Sequence, residues 1–162
     1  MRARHGGLVK HEHRIEGINS RLDGIQAAIL SAKLPYLTDW TCARQLAAEF
    51  YNAALGDTPT FEVPKVMPGR NHVYHLYTIR HPNRDALAKH LAARGIQTAI
   101  NYPTILPLLP AYQHLGLRHE EFPNAYRDQQ TILSLPMFAE ISREQQGRVV
   151  AALKEFEVHD AR

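Results

Sequence analysis

The sequence lacks three features that define particular classes of protein: paired cysteines, long apolar runs and a signal peptide. Cys42 is its one cysteine, so no disulfide can form within the chain, which suits a reducing cytoplasm. Its aliphatic runs are only a few residues long, as at 27–30, whereas a membrane-spanning helix needs about 20 apolar residues. Met1 is not followed by the charged and then apolar segments of a signal peptide. These absences predict a cytoplasmic protein that does not span a membrane.

Clustered positive charge is missing as well. The 19 Lys and Arg residues exceed the 16 Asp and Glu residues by little, and no two basic residues are adjacent. A protein that binds nucleic acid usually concentrates its basic side chains on one face. The sequence therefore argues against nucleic-acid binding. What is present, 44% hydrophobic residues in a chain of 162, is typical of a globular protein that can bury a core without metals.

Helical periodicity marks the part of the chain before residue 57. Apolar residues recur at helical spacing from Leu22, and Pro35 should end or kink a helix because it lacks a backbone N–H. The spacing resumes at Leu37 and continues to Gly56, which is suited to a helix C-cap. We predict one long kinked helix, or two helices in tandem, over residues 22–55.

Strand and helix patterns alternate after residue 57. Short segments rich in β-branched and aromatic residues predict strands at 72–80, 96–102 and 132–135. Helical patterns follow Asn83 and Phe122, and Ser142 with Gln145 forms the capping box of a last helix. This order predicts a small α/β or α+β layer with a mixed sheet.

Two segments near the N-terminus carry polar side chains that a site needs. The run 11–13, His-Glu-His, has metal-ligating side chains but not the i, i+4 spacing of a helical zinc pair, and a solvated polar loop is the simpler interpretation. Asn19 and Arg21 precede the first predicted helix, where an arginine fork suits a phosphate or carboxylate. An equal alternative is that Asn19 caps the helix and Arg21 pairs with Asp23.

Other candidates are weaker. Asn101 and Tyr102 end a predicted strand, a place that often carries function, but they also fit a turn residue and a half-buried tyrosine. Cys42 lies within a predicted helix and is expected to be a packed, inert thiol. Several histidines are expected to be solvated because they lie in polar stretches; they are His81, His90, His114, His119 and His159.

Five segments, in order along the chain, resemble segments of one protein family. They are RHGG at 4–7, GINSRLDGIQAAIL at 17–30, YHLYTIR at 74–80, RDALAKHLAARGIQTAINYP at 84–103 and ILSLPMFAEIS at 132–142. The series resembles the DegT/DnrJ/EryC1/StrS family of sugar aminotransferases. The resemblance implies an α/β fold of the aspartate-aminotransferase type (fold type I) with pyridoxal 5'-phosphate (PLP) as cofactor. It also implies a cytoplasmic homodimer with shared active sites, which transfers an amino group, usually from glutamate, to a nucleotide-linked keto sugar in amino-sugar or polysaccharide biosynthesis.

The resemblance implies roles for individual residues. Asn19 matches the asparagine that reaches the cofactor phosphate of the neighbouring subunit, and Arg21 matches the arginine associated with the same shared site. Arg4 lies in the RHG segment near the site. Asn101 and Tyr102 stand where many relatives have His-Tyr-Pro lining the substrate pocket.

Two positions depart from the pattern that many relatives share. The first is the asparagine at 101, which replaces a histidine, and the second is Pro107, which also stands where relatives have a histidine. These departures are expected to mark a subgroup with its own substrate rather than a loss of function.

The resemblance further implies that this chain is the C-terminal portion of such an enzyme. In the family, the Schiff-base lysine lies upstream of the RHG segment, and none of the five lysines here has a matching context: Lys10, Lys33, Lys65, Lys89 and Lys154. Residues 1–57 are then the end of the large domain with the long connecting helix, and 58–162 form a small α+β domain with a short sheet. Three interpretations stay open: an inactive fragment, a noncatalytic binding or assembly module, and a half-enzyme whose partner chain carries the lysine.

Overall fold

The structure, a computed structural model, describes residues 6–7, 11–18 and 22–160, with side chains up to residue 157. Its helices are α1 (Gly24–Lys33), α2 (Leu37–Leu55), α3 (Arg84–Ala93), α4 (Pro123–Thr131) and α5 (Arg143–Asp160), and its strands are β1 (Tyr77–Arg80) and β2 (Ile132–Leu135). Short 3-10 turns lie at Leu34–Tyr36, Leu106–Leu108, Pro110–Leu115 and His119–Glu121. Within this described part, no helix is long and apolar enough to cross a membrane.

The first helical region is interrupted at Pro35, as the sequence predicts. Asp23 is the N-cap of α1, and its carboxylate accepts the backbone N–H of Gln26 at 2.8 Å. The helix ends at Lys33, and the 3-10 turn that contains Pro35 separates it from α2. Residues 22–55 therefore form two helices in tandem. The alternative that Asn19 caps the first helix is wrong, because Asp23 does so.

Backbone contacts divide the chain into two compact units. The first unit is Met1–Pro35 with Tyr102–Gln130, and the second is Tyr36–Asn101 with Thr131–Arg162. Helix α2 belongs to the second unit because it packs against α5. This division by contacts does not follow the boundary at residue 57, which concerns the domains of a complete family enzyme and stays a prediction.

The second unit is built on a short antiparallel sheet. Strands β1 and β2 pair with Tyr77 opposite Leu135 and Arg80 opposite Ile132, and isolated bridges join Glu62 to Arg80 and Ala99 to Ser134. The predicted strand 132–135 is confirmed. The predicted mixed sheet and the lengths of its other two strands are wrong.

Local backbone bonding explains why the predicted strand 72–80 is shorter in the structure. Tyr74 has a φ of 46°, in the left-handed region that interrupts extended backbone, and its N–H donates to the Nδ1 atom of His72 at 2.9 Å. The strand can therefore begin only after this turn. The segment 96–102 contributes a single bridge, at Ala99.

Two tyrosines lie at the centre of the second unit. Tyr51 of α2 and Tyr77 of β1 are fully buried, with ring centroids 4.9 Å apart. The Tyr51 hydroxyl donates to the carbonyl of Pro136 at 3.1 Å, and the Tyr77 hydroxyl donates to Asn52 at 2.8 Å. Burial raises the pKa of Tyr51 to about 12 and raises the pKa of Tyr77 as well. Both phenols therefore stay protonated and serve as buried hydrogen-bond donors.

His81 is buried, so the expectation of a solvated side chain is wrong. Its ring has 0% exposure, and its Nε2 atom lies 2.9 Å from the Glu157 carboxylate. The backbone N–H of Asn83 donates to Nδ1 at 3.0 Å, so the ring proton belongs on Nε2, where it can be donated to Glu157. This pair ties the end of β1 to helix α5.

The capping box at the start of α5 is confirmed. The backbone N–H of Gln145 donates to the Ser142 hydroxyl at 3.1 Å, and the backbone N–H of Ser142 donates to the Gln145 side chain at 2.9 Å. Two otherwise unsatisfied N–H groups are thereby bonded at the N-terminus of this helix.

Helix α1 buries none of its ten residues. At about 100° per residue, its apolar side chains form two stripes on opposite sides of the helix. One stripe holds Ile25, Ala28, Ile29 and Ala32, and the other holds Ala27 and Leu30. A helix that is apolar on more than one side is normally enclosed by other elements.

We predict that the purified chain self-associates through α1. Ile25 and Leu30 are 76% and 59% exposed, so removing them from water is favourable while replacing them costs this chain little packing. The variants Ile25→Gln and Leu30→Gln should each reduce the associated fraction, and their combination should reduce it further. Leu115→Gln, at an equally exposed leucine outside α1, is the matched control. A stable monomer of the unsubstituted chain in light scattering would contradict the prediction.

Candidate functional site

A cavity of about 440 Å³ lies within the first unit. One wall comes from residues 11–17, which end at the first residue of the GINSR motif, and the other comes from residues 102–112, which begin at the end of the predicted strand 96–102. The lining residues are His11, His13, Ile15, Glu16, Gly17, Tyr102, Pro103, Thr104, Leu106, Leu109, Ala111 and Tyr112. A volume of this size suits a small-molecule ligand, for which cavities usually measure about 300–1,000 Å³.

One hydrogen bond and one ring contact join the two walls of the cavity. The backbone N–H of Ala111 donates to the carbonyl of His13 at 3.0 Å. The His11 ring meets the Tyr102 ring edge-on, with centroids 5.8 Å apart. His11 has a φ of 67°, an uncommon conformation for a residue with a side chain. The backbone thus accepts local strain where His11 meets Tyr102.

The proline-rich sequence shapes the second wall. Pro107 and Pro110 stand in the first turns of two short 3-10 helices, where a missing N–H is tolerated. Gly116 ends the second of them at a φ of 62°. The backbone N–H of Ile105 donates to the Gln129 side chain at 2.9 Å, which anchors the wall to α4.

The cavity combines an apolar surface with a few polar groups. Its apolar part is formed mainly by Ile15, Pro103, Leu106 and Leu109. Phenol, hydroxyl, imidazole and carboxylate groups lie among them and can pair with the hydroxyls of a polar ligand. No lysine lines the cavity in the described part of the chain. The described lining residues can therefore bind and orient a ligand, and none of them carries a primary amine.

The structure places two of the five predicted site residues. Tyr102 lines the cavity and is 67% exposed. The side chain of Asn101 donates to the Ser134 hydroxyl at 3.2 Å, and Asn101 is not among the cavity's lining residues. Its role toward substrate stays a prediction. The other three, Arg4, Asn19 and Arg21, lie outside the described residues.

Sequence reasoning missed three polar lining residues. Glu16 directly precedes the GINSR motif, and Thr104 follows Tyr102 and Pro103 closely, so their proximity to motifs was a usable signal. Tyr112 lies in a proline-broken apolar stretch that gives no local indication of a site. It reaches the cavity because residues 109–112 fold back against 11–17.

The remaining candidates do not form sites of their own. His11 and His13 line the cavity, but the described residues contain no group of three metal-ligating side chains. Cys42 is exposed on α2, so the expectation that its thiol is packed is wrong. His90 is half-buried and bonds to the Ala152 carbonyl at 3.0 Å, so it is not the solvated side chain that its polar context suggested.

Comparison with known proteins shows to which family this chain belongs. The profile of the DegT/DnrJ/EryC1/StrS aminotransferase family matches residues 2–154, and the chain belongs to this family. It is 44% identical over 97% of its length to a protein named "Pleiotropic regulatory protein" from Geobacillus stearothermophilus, and covers 43% of that protein. It is 36% identical over 96% of its length to a dTDP-3-amino-3,4,6-trideoxy-alpha-D-glucose transaminase from Streptomyces venezuelae, and covers 41% of it.

A solved structure agrees with the predicted fold. The chain matches the crystal structure of S. venezuelae DesV in complex with a ketimine intermediate with a TM-score of 0.80 and 36% identity, over 96% of this chain and 42% of that one. The predicted fold class, an α/β fold of the aspartate-aminotransferase type, is confirmed. The chain spans about two fifths of the length of the curated relatives it matches.

The described residues do not by themselves fit the cofactor that the family implies. A Schiff base with PLP needs a lysine amine next to the site. Four lysines are described, all of them exposed and none in the cavity wall: Lys33, Lys65, Lys89 and Lys154. Lys10 lies outside the described residues. We therefore assign no catalytic step through PLP to the described residues.

Proposed function

We propose that this chain is the C-terminal portion of a PLP-dependent aminotransferase that acts on nucleotide-linked keto sugars, with glutamate as the amino donor. The Schiff-base lysine would come from polypeptide outside this chain. The observation that carries the proposal is the cavity, because its two walls flank the GINSR and NYP segments that the family resemblance assigns to the active site.

In this proposal the chain binds and orients rather than catalyses. Hydroxyl donors on Tyr102, Thr104 and Tyr112 and the Glu16 carboxylate can pair with sugar hydroxyls, while the apolar surface accepts a ring face. Asn19 and Arg21 would hold the cofactor phosphate of the neighbouring subunit across a homodimer, and Arg4 would lie close to the substrate.

Hydroxyl removal at Tyr112 tests the cavity. In a polypeptide that includes the cofactor lysine, Tyr112→Phe should raise the KM for the nucleotide sugar roughly three- to tenfold, the usual value of one hydrogen bond. Tyr126→Phe removes the same hydroxyl from a half-buried tyrosine of the same unit that does not line the cavity, and should leave the KM unchanged. Steady-state kinetics measure both. Equal KM values in the Tyr112 and Tyr126 variants would remove the cavity from the proposal.

A second candidate is a noncatalytic binding or assembly module. The relative from Geobacillus stearothermophilus, 44% identical, carries a regulatory rather than an enzymatic name. A half-enzyme that pairs with a lysine-bearing partner chain is a related possibility. Sequencing the DNA upstream separates these cases: a lysine-bearing N-terminal half beside this chain supports the enzyme, and an unrelated neighbour supports the module.

A further inference from the structure

A second cavity, of about 430 Å³, lies within the second unit. It is bounded by the turn after α3, the loop after β2 and the first two turns of α5. Its lining residues are Gly95, Ile96, Gln97, Pro136, Phe138, Ile141, Gln145, Arg148 and Val149. None of them lines the first cavity, so this cavity is formed independently of the proposed substrate site.

The walls of this cavity are largely apolar. Phe138 is 40% exposed, although an aromatic side chain of this size gains free energy when it leaves water. Ile96 and Val149 close the inner side and are themselves buried. An aromatic or branched hydrocarbon group in the cavity would cover the exposed part of the Phe138 ring.

Arg148 is the only charged residue among the described residues that line this cavity. Glu144 lies one helical turn before Arg148, at the i, i+4 spacing that favours an ion pair. Within the described residues, however, Arg148 forms no ion pair and no hydrogen bond. Arg143, on the same helix, lies over the Phe50 ring at 4.2 Å and is thus occupied. The Arg148 guanidinium keeps its forked donors for another acceptor.

The polar groups beside Arg148 also favour an acceptor ligand. The side-chain oxygen of Gln145 accepts the backbone N–H of Ser142 at 2.9 Å, which leaves its NH₂ group as the donor toward a ligand. Gln97 adds a second amide, and none of the described residues that line the cavity carries a carboxylate. Gln145 lies in the first turn of α5, where the positive end of the helix dipole favours a negatively charged group.

We propose that this cavity binds a small organic acid, with a flat apolar body against Phe138 and a carboxylate on Arg148. The apolar walls favour the apolar part of the acid, and the N–H donors of the arginine favour its carboxylate. The site is separate from the proposed substrate cavity and requires neither PLP nor a lysine. Its failure and the failure of the proposed function are therefore distinguishable.

Equilibrium dialysis of the full 162-residue chain tests the proposal, because it works whether the chain is monomeric or associated. The probe is 2-naphthoate, and 2-naphthamide, which has the same shape without the charge, is its matched ligand control. We expect saturable binding of the acid, and at least roughly tenfold weaker binding of the amide, because a charged hydrogen bond is lost.

Protein variants locate the bound acid. Arg148→Gln should weaken 2-naphthoate binding roughly tenfold or more, and Arg148→Lys, which keeps the charge but loses the fork, should weaken it less. Lys154→Gln removes one positive charge from an exposed residue of the same helix outside the cavity, and should leave the affinity unchanged. Circular dichroism checks that the variants are folded.

Three results would overturn the proposal: no saturable binding of 2-naphthoate, equal affinity for acid and amide, or equal effects of the glutamine substitutions at Arg148 and Lys154. If Arg148→Gln does not fold, the comparison of acid with amide and the Arg148→Lys variant still decide.

Discussion

The purified 162-residue chain is expected to form no stable covalent adduct with PLP at a single lysine and to show no aminotransferase turnover. Transamination by PLP needs a lysine amine that forms and exchanges an imine beside the substrate. The described lysines are all exposed, and none lines the cavity that contains Tyr102. The measurement is incubation with PLP, reduction with borohydride and mapping of labelled peptides by mass spectrometry, together with an assay of amino transfer.

The expected labelling is low and spread over several exposed lysines. A longer polypeptide that carries the upstream lysine is the control and should be labelled stoichiometrically at that one residue. Stoichiometric labelling of one lysine in the 162-residue chain, accompanied by turnover, would contradict the interpretation of this chain as a C-terminal portion.

Local sequence signals predicted the elements that depend on neighbouring residues. Pro35 separates two helices, and Ser142 with Gln145 caps α5 through bonds that span three residues. Strand β2 ends at its predicted residue because Pro136 follows it directly. In each of these cases, one or two nearby side chains determine the backbone bonding.

Features that depend on distant contacts were not predictable in this way. His81 appears in a polar stretch of sequence, but it is buried because Glu157, 76 residues later, provides its partner. Tyr112 joins the cavity wall because the backbone of Ala111 bonds to His13, far away in the chain. Asn101 bonds to Ser134 on the neighbouring strand, which the resemblance to a His-Tyr-Pro segment does not indicate. Periodicity describes one element at a time and contains no information on such pairs.

In the homodimer that we propose for the lysine-bearing enzyme, the variant Arg21→Ala is expected to weaken the shared cofactor site roughly ten- to a hundredfold. A hydrogen bond to a charged group contributes about 1.5–3 kcal/mol, and ~1.4 kcal/mol corresponds to a factor of ten. Arg21 lies two residues before Asp23, the N-cap of α1, and a helix N-terminus with aimed donors favours a phosphate. Asp23 already caps the helix, so Asn19→Ala should weaken phosphate binding in the same direction without uncapping α1. PLP affinity and steady-state kinetics of the variants measure both effects.

A mixture of two impaired variants tests whether Arg21 acts across the proposed dimer. One subunit carries Arg21→Ala with an intact cofactor lysine, and the other carries Arg21 but lacks that lysine. If Arg21 serves the neighbouring subunit's site, both defects fall in one site of the mixed dimer, and the other site has every group it needs. Mixing should then restore up to one working site in each mixed dimer, while a subunit that serves only its own site would restore none. Differently tagged subunits allow the mixed dimers to be isolated. Mixed dimers with no more activity than either parent would show that Arg21 does not act on the partner's cofactor.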